Sequence, residues 1–172
     1  MRLYRARIPP IAHAVIERLT SENDIEVAPE NRNEAEQDII AIMDTFLRRD
    51  LDLRDAVRDK MSRDGIPYDQ YSKIRSAIAD VWGHPTGETV PKFLARQIVE
   101  NFMISRFVEE VFTEDDPLFR KVLDTIRSYD VDEHALREEA QAQIKNLAEG
   151  TVDYEVAFAQ ALKEVKRRHG LL

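Results

Sequence analysis

Cysteine is absent from this 172-residue chain, which excludes disulfides, thiolate metal sites and thiol catalysis together. The absence is compatible with a reducing compartment. Glycine is scarce as well: the five glycines fall singly, at expected helix ends or in one linker. A phosphate cradle needs several glycines ahead of a helix, so no such loop can be drawn. No apolar run approaches the ~18 residues of a membrane span. Residues 1–10 carry positive charge but no apolar stretch long enough for a signal peptide. A cytoplasmic protein, neither exported nor membrane-spanning, is the expectation.

Site chemistry is equally thin. There is no Gly-x-Ser-x-Gly elbow and no His-Glu-x-x-His arrangement. None of the four histidines, His13, His84, His134 and His169, has an acidic residue three positions earlier. The Glu-x-x-His ligand pair of carboxylate-bridged helical bundles is therefore missing. His13 and Glu17 share a helix face and read as an exposed polar pair. Asp130, Asp132 and His134 alternate like metal ligands, but Asp50 and Asp52 repeat the pattern without a histidine, so helix capping explains them more simply. No catalytic residue, metal or cofactor is assigned.

What is present is patterned for helices. Hydrophobic residues make up 43% and charged residues 34% of the chain, at a net charge of −8, a globular and well-solvated composition. Residues 1–88 hold 13 basic and 17 acidic side chains and residues 89–172 hold 12 and 16, so each half carries the same net charge. That balance argues against a dedicated basic domain or an acidic tail.

Helix starts and stops are legible along the whole chain. Pro9 and Pro10 precede a stripe of Ile11, Ala12, Val15, Ile16 and Leu19. After a brief alternation at Asp24–Val27, Pro29 opens a second helix through Ile39, Met43 and Leu47. Asp50 or Asp52 is read as the cap of a third, carrying Leu53, Val57 and Met61 and stopping at Gly65. Tyr68, Tyr71, Ile74, Ile78 and Val81 make a fourth, closed by Gly83. A linker follows over 84–90. Pro91 then opens a helix through Phe102 that can extend as far as Val111. Pro117 starts another, bearing Val122 and Ile126. Asp130 and Asp132 precede one bearing Leu136, Ala140, Ile144 and Leu147, ending at Gly150. Asp153 is read as the cap of the last, which holds Tyr154, Phe158, Leu162 and Val165 up to Gly170.

The second series echoes the first. Ile11–Leu19 aligns without gaps to residues 94–102, Asp50-Leu51-Asp52 to Asp130-Val131-Asp132, and Val57-Arg58 to Leu136-Arg137. The expected fold is all-α: an eight-helix bundle of two pseudo-symmetric four-helix repeats, with at most a very short extended segment near 24–27. Residues 1–83 form the first repeat, 84–90 the linker and 91–172 the second. A half this size has too little core to be comfortable alone, so the two are expected to share one core. The opening Met1-Arg2-Leu3, the Asp52…Ala56-Val57-Arg58 segment and the Asp153-Tyr154…Phe158…Gly170 helix resemble a bacterial family known as domain of unknown function 507. The resemblance implies one such unit per member, here present twice, and implies no activity.

Two basic clusters stand out. Arg2, Arg5 and Arg7 form an amino-terminal arm around Tyr4, and Lys163, Lys166, Arg167 and Arg168 gather at the end of the last helix. Arginine beside an aromatic suits single-stranded nucleic acid, whereas cations at a helix carboxyl terminus also follow from the helix dipole. Trp82, the lone tryptophan, is either a packing residue or a partner hot spot. The function best motivated is a non-enzymatic protein–protein interaction or scaffold module with an unidentified protein partner. Nucleic acid bound by the two basic clusters is the alternative, and an enzyme of unknown class the second alternative. The chain is expected to be a monomer with an internal pseudo-dimer, or a homodimer.

Overall fold

Pro9 and Pro10 lie in the first turn of α1 (Ile8–Ser21), where a missing N–H costs no hydrogen bond. The computed structural model describes residues 1–144 and 149–172. After α1 come β1 (Ile25–Glu26), α2 (Arg32–Asp64), α3 (Tyr71–Trp82), α4 (Val90–Phe102), β2 (Glu110–Val111), α5 (Asp115–Ser128), α6 (Glu133–Ala142) and α7 (Val152–Arg168). Short 3-10 turns at Arg5–Arg7, Pro29–Asn31, Tyr68–Gln70 and Gly87–Thr89 lead into α1, α2, α3 and α4. Among the described residues no helix is long and apolar enough to cross a membrane.

The chain is mostly helical, with seven α-helices among the described residues rather than eight. The expected second and third helices are one, because nothing between Pro29 and Gly65 breaks a helix. Asp50 and Asp52 sit mid-helix and cap nothing. Gly65 does end α2, in the left-handed conformation (φ 62°) that glycine adopts without steric cost. The segment near Ile25, which reads as a brief extended stretch and no sheet, pairs antiparallel with β2, Ile25 opposite Val111 and Glu26 opposite Glu110. Glu110 and Val111 supply that second strand instead of prolonging α4, which ends at Phe102. Thr151, not Asp153, caps α7: its hydroxyl accepts from the Tyr154 N–H. Asp132 caps α6 as expected, accepting from the N–H groups of His134 and Ala135. That helix stops at Ala142, short of Ile144, and Leu147 lies outside the described residues.

α1 packs on α2 and α5, and α4 packs on α5 and α2; α3 lies against α2, and α7 against α6. The main core draws on α1, β1, the first half of α2, α4 and α5. Ile8, Ile11, Ala12, Val15, Ile16 and Leu19 are buried in α1, and Pro91, Leu94, Ala95, Ile98, Val99 and Phe102 in α4. The spacing within the two sets is identical. Ala35, Ile39 and Met43 of α2 stand in the same relation to Leu118, Val122 and Ile126 of α5, and all six are buried. Each fully buried aliphatic side chain contributes roughly 1.5–3 kcal/mol.

Two smaller clusters flank this core. Leu53, Val57 and Met61 of α2 pack with Ala79 of α3, and Trp82 lies against them. Leu136 and Ala140 of α6 pack with Ala161 and Val165 of α7, together with Tyr4 and Leu171. Residues 84–90 are tied to the body, since His84 and Val90 are both buried. A buried carboxylate, Asp24, joins the end of α1 to α5. It accepts from the Thr113 hydroxyl at 2.6 Å and from the Lys121 ammonium at 2.9 and 2.7 Å.

Candidate functional site

The buried seam of α2 runs Met43, Phe46, Asp50, Leu53, Val57, Met61. One member is a carboxylate, and the fold surrounds it with cations. Asp50 Oδ2 accepts from Arg54 one turn on at 2.9 Å, and Oδ1 accepts from Arg75 of α3 at 2.7 Å. His84 Nε2 stands 3.4 Å from Oδ1, and its ring stacks on Phe46 at a centroid distance of 4.9 Å. Burial pushes the His84 imidazole below its ordinary value, against the pull of Asp50. The neutral ring donates from Nε2 to Asp50 and adds no charge to the cluster. Two fixed guanidiniums on one carboxylate leave the cluster net positive.

That cluster forms one wall of a cavity of about 570 Å³ between α2, α3 and the amino-terminal strap, residues 1–4. Arg2, Arg54, Arg58 and Arg75 line it, and Asp50 is its one acidic lining residue. Tyr68 and Tyr71 line the same cavity, with ring centroids 5.6 Å apart and planes inclined by 29°. Tyr68 is 82% exposed, so packing of the fold does not account for its position.

A second cavity, about 530 Å³, lies on the other side of the strap and shares Arg2, Leu3, Leu47, Asp50 and Arg54 with the first. It adds Arg5 and Lys166. The strap between them is anchored by two adjacent side chains. Leu3 enters the main core, while the Tyr4 hydroxyl donates to Glu133 of α6. The Lys166 ammonium and the Arg2 guanidinium each stand 5.3 Å from the Tyr4 ring centroid, within cation–π range. Burial and the Glu133 carboxylate push the Tyr4 phenol up, which keeps it a donor. Burial, and then Arg2, push the Lys166 ammonium down, with Glu133 Oε2 at 3.6 Å opposing them. The two cavities, together termed the groove, share five lining residues and are lined by six basic side chains.

The fold brings part of the two sequence-predicted basic clusters together and leaves the rest apart. Arg2 is exposed and lines both cavities, Arg5 lines the second, and Lys166 is buried at its floor. Arg7 is half-buried and reaches the His169 carbonyl at 3.4 Å, so the arm meets the end of α7. Lys163, Arg167 and Arg168 are exposed outside the groove, and Arg168 pairs with Glu139 at 2.9 Å. Trp82 is half-buried at the end of α3, and its carbonyl accepts from Arg49 at 2.6 Å. His13 pairs with Glu36, and Glu17 with Arg32, so the expected pairing of His13 with Glu17 does not form.

Asp50, Arg54, Arg58, Arg75 and Tyr71 are absent from the sequence-derived candidates. A signal for part of this set exists. With no breaker from Pro29 to Gly65, Asp50, Arg54 and Arg58 fall four apart on one helical face. Reading Asp50 as a cap hides that stripe. The placing of Arg75 and Arg2 beside it depends on how α3 and the strap fold back, which local pattern does not encode.

No curated protein matches this chain. A family described as protein of unknown function (DUF507) matches residues 1–171, a match that spans both expected units and does not show the expected doubling. By that match over essentially its full length, the chain belongs to the DUF507 family.

Proposed function

We propose that this protein is a non-enzymatic interaction module that holds an anionic partner in the basic groove beneath and beside its amino-terminal strap. One observation carries the reading: four arginines, Arg2, Arg54, Arg58 and Arg75, converge on one cavity with a single acidic lining residue, on a chain of net charge −8. Positive charge concentrated in a low-dielectric cleft on an acidic protein attracts anions locally and repels them elsewhere. The nucleic-acid alternative gains support from the meeting of Arg2, Arg5 and Lys166 along the same groove.

The internal repeat belongs to this reading. The matching burial of α1 with α4 and of α2 with α5, together with their reciprocal packing, supports two diverged copies over 1–83 and 91–172 that share one core. Fusion of two such copies replaces an isologous dimer contact by an internal one, and the protein then acts as a cytoplasmic monomer. The groove lies where the copies differ, since only the first begins with a basic strap.

Retention on a heparin column tests the groove. Wild-type protein is expected to be retained at low salt and to elute as salt rises, while the double variant Arg2→Glu, Arg58→Glu flows through with an unchanged far-UV spectrum. Both side chains are exposed, so the fold survives the change. Equal behaviour of the two proteins refutes the reading.

A further inference from the structure

We infer that the groove recognises a nucleotide unit, with the base stacked on Tyr68 and its phosphate held by Arg54, Arg58 and Arg75; the inference rests on the reading of the groove as the binding face. Tyr68 sits on a 3-10 turn at the mouth of the cavity, backed by Tyr71 at 5.6 Å and otherwise open to solvent. A large aromatic 82% exposed stabilises nothing by burial, yet the partner ring behind it fixes its plane. A rigid aromatic face beside guanidiniums is the arrangement that binds nucleobases without regard to sequence, through stacking and phosphate contact.

The cationic side of the site is organised before any ligand arrives. Asp50 takes one guanidinium nitrogen from each of Arg54 and Arg75, which tethers both groups at the cavity wall and leaves the remaining donors of each fork for an anion. Arg58 lies one turn beyond Arg54 on the same face with its side chain 73% exposed, and its Asp55 partner stands at 3.8 Å. Such a contact holds an exposed side chain only weakly, so Arg58 is free to close on a phosphate. A volume of about 570 Å³ falls within the ~300–1,000 Å³ of small-ligand sites. The groove continues past Arg2 to the exposed Arg5, which provides for the next phosphate of a strand.

An acidic protein segment would use the arginines but gain little from an exposed tyrosine stack. Fluorescence anisotropy with a short fluorescein-labelled oligouridylate, and with a labelled oligoglutamate of equal charge, separates the two. The oligouridylate is expected to bind at low salt, to weaken linearly in log[salt], to lose about tenfold in affinity with Tyr68→Ala, and to keep it with Tyr68→Phe. Arg58→Glu is expected to weaken it further. Displacement of the probe by uridine monophosphate assigns the site to a single nucleotide, and failure to displace assigns it to a strand; both outcomes support the inference. Oligouridylate and oligoglutamate binding alike, both unaffected by Tyr68→Ala but lost with Arg58→Glu, overturns the nucleotide and leaves the anionic groove standing. Binding of neither probe overturns both.

Discussion

Asp50 and His84 are 34 residues apart in the chain and meet at 3.4 Å, with the imidazole laid flat on Phe46. The contact links the middle of α2 to the segment after α3, and the Asp50 carboxylate also holds Arg54 and Arg75. Removing the carboxylate leaves two guanidiniums facing each other with no counter-charge. Asp50→Ala is therefore expected to cost about 2–3 kcal/mol, below the ~3–5 kcal/mol of a fully buried pair because both arginines are partly solvated. Urea denaturation measures it, and an unchanged midpoint would remove Asp50 from the account of the fold.

Stability should fall as the solution is acidified through the histidine range. The folded state holds His84 below its ordinary value of 6.5, chiefly by burial. The unfolded chain takes up the proton first, so stability is fully present above about pH 6.5 and is lost as pH falls through that value toward the folded one. Asp50, Arg49 and Arg75 are the charged groups acting on the ring, with both arginines opposing protonation and Asp50 favouring it. In His84→Gln the decline between about pH 7.5 and 5.5 is expected to flatten, as read by denaturation midpoints across that range. An identical slope in the variant places the acid sensitivity elsewhere.

Lys121 is expected to matter more than a surface lysine does. The Asp24 side chain is 5% exposed; burial pushes its carboxyl up, but Lys121 and Thr113 outweigh burial and hold it net below the usual range. Lys121→Met strands that carboxylate with a single hydroxyl donor and should cost about 2 kcal/mol at neutral pH. The loss should already have shrunk at about pH 4, because burial without Lys121 raises the Asp24 carboxyl and protonates it before the ordinary carboxylate range is reached. The comparison is made by thermal melts of both proteins at the two pH values.

If the copies share one core, they unfold together. Ile11→Ala in α1 and Leu94→Ala in α4, both at fully buried positions, should each cost about 2–5 kcal/mol and shift one common transition. Far-UV circular dichroism and the fluorescence of Trp82, which sits in the flanking α2–α3 cluster, are expected to report coincident curves. Separated transitions would show two independent halves.

Much of this was legible in the sequence. Apolar stripes at helical spacing, prolines in first turns and glycines at helix ends determined that the chain is helical and where α1, α3, α4 and α5 lie, because those signals act within a few residues. The echo between α1 and α4 was readable for the same reason. What local pattern could not settle was the role of any polar residue whose partner is distant. An aspartate reads alike as a cap or as a buried anchor until its surroundings are known; Asp132 proved the first and Asp50 the second. The pairing of Ile25 with Val111 likewise needs two segments far apart in sequence to meet. Only the tertiary structure decided that Arg2, Arg54, Arg58, Arg75 and Tyr68 line one cavity, since their approach is set by how α2, α3 and the strap pack on a common core.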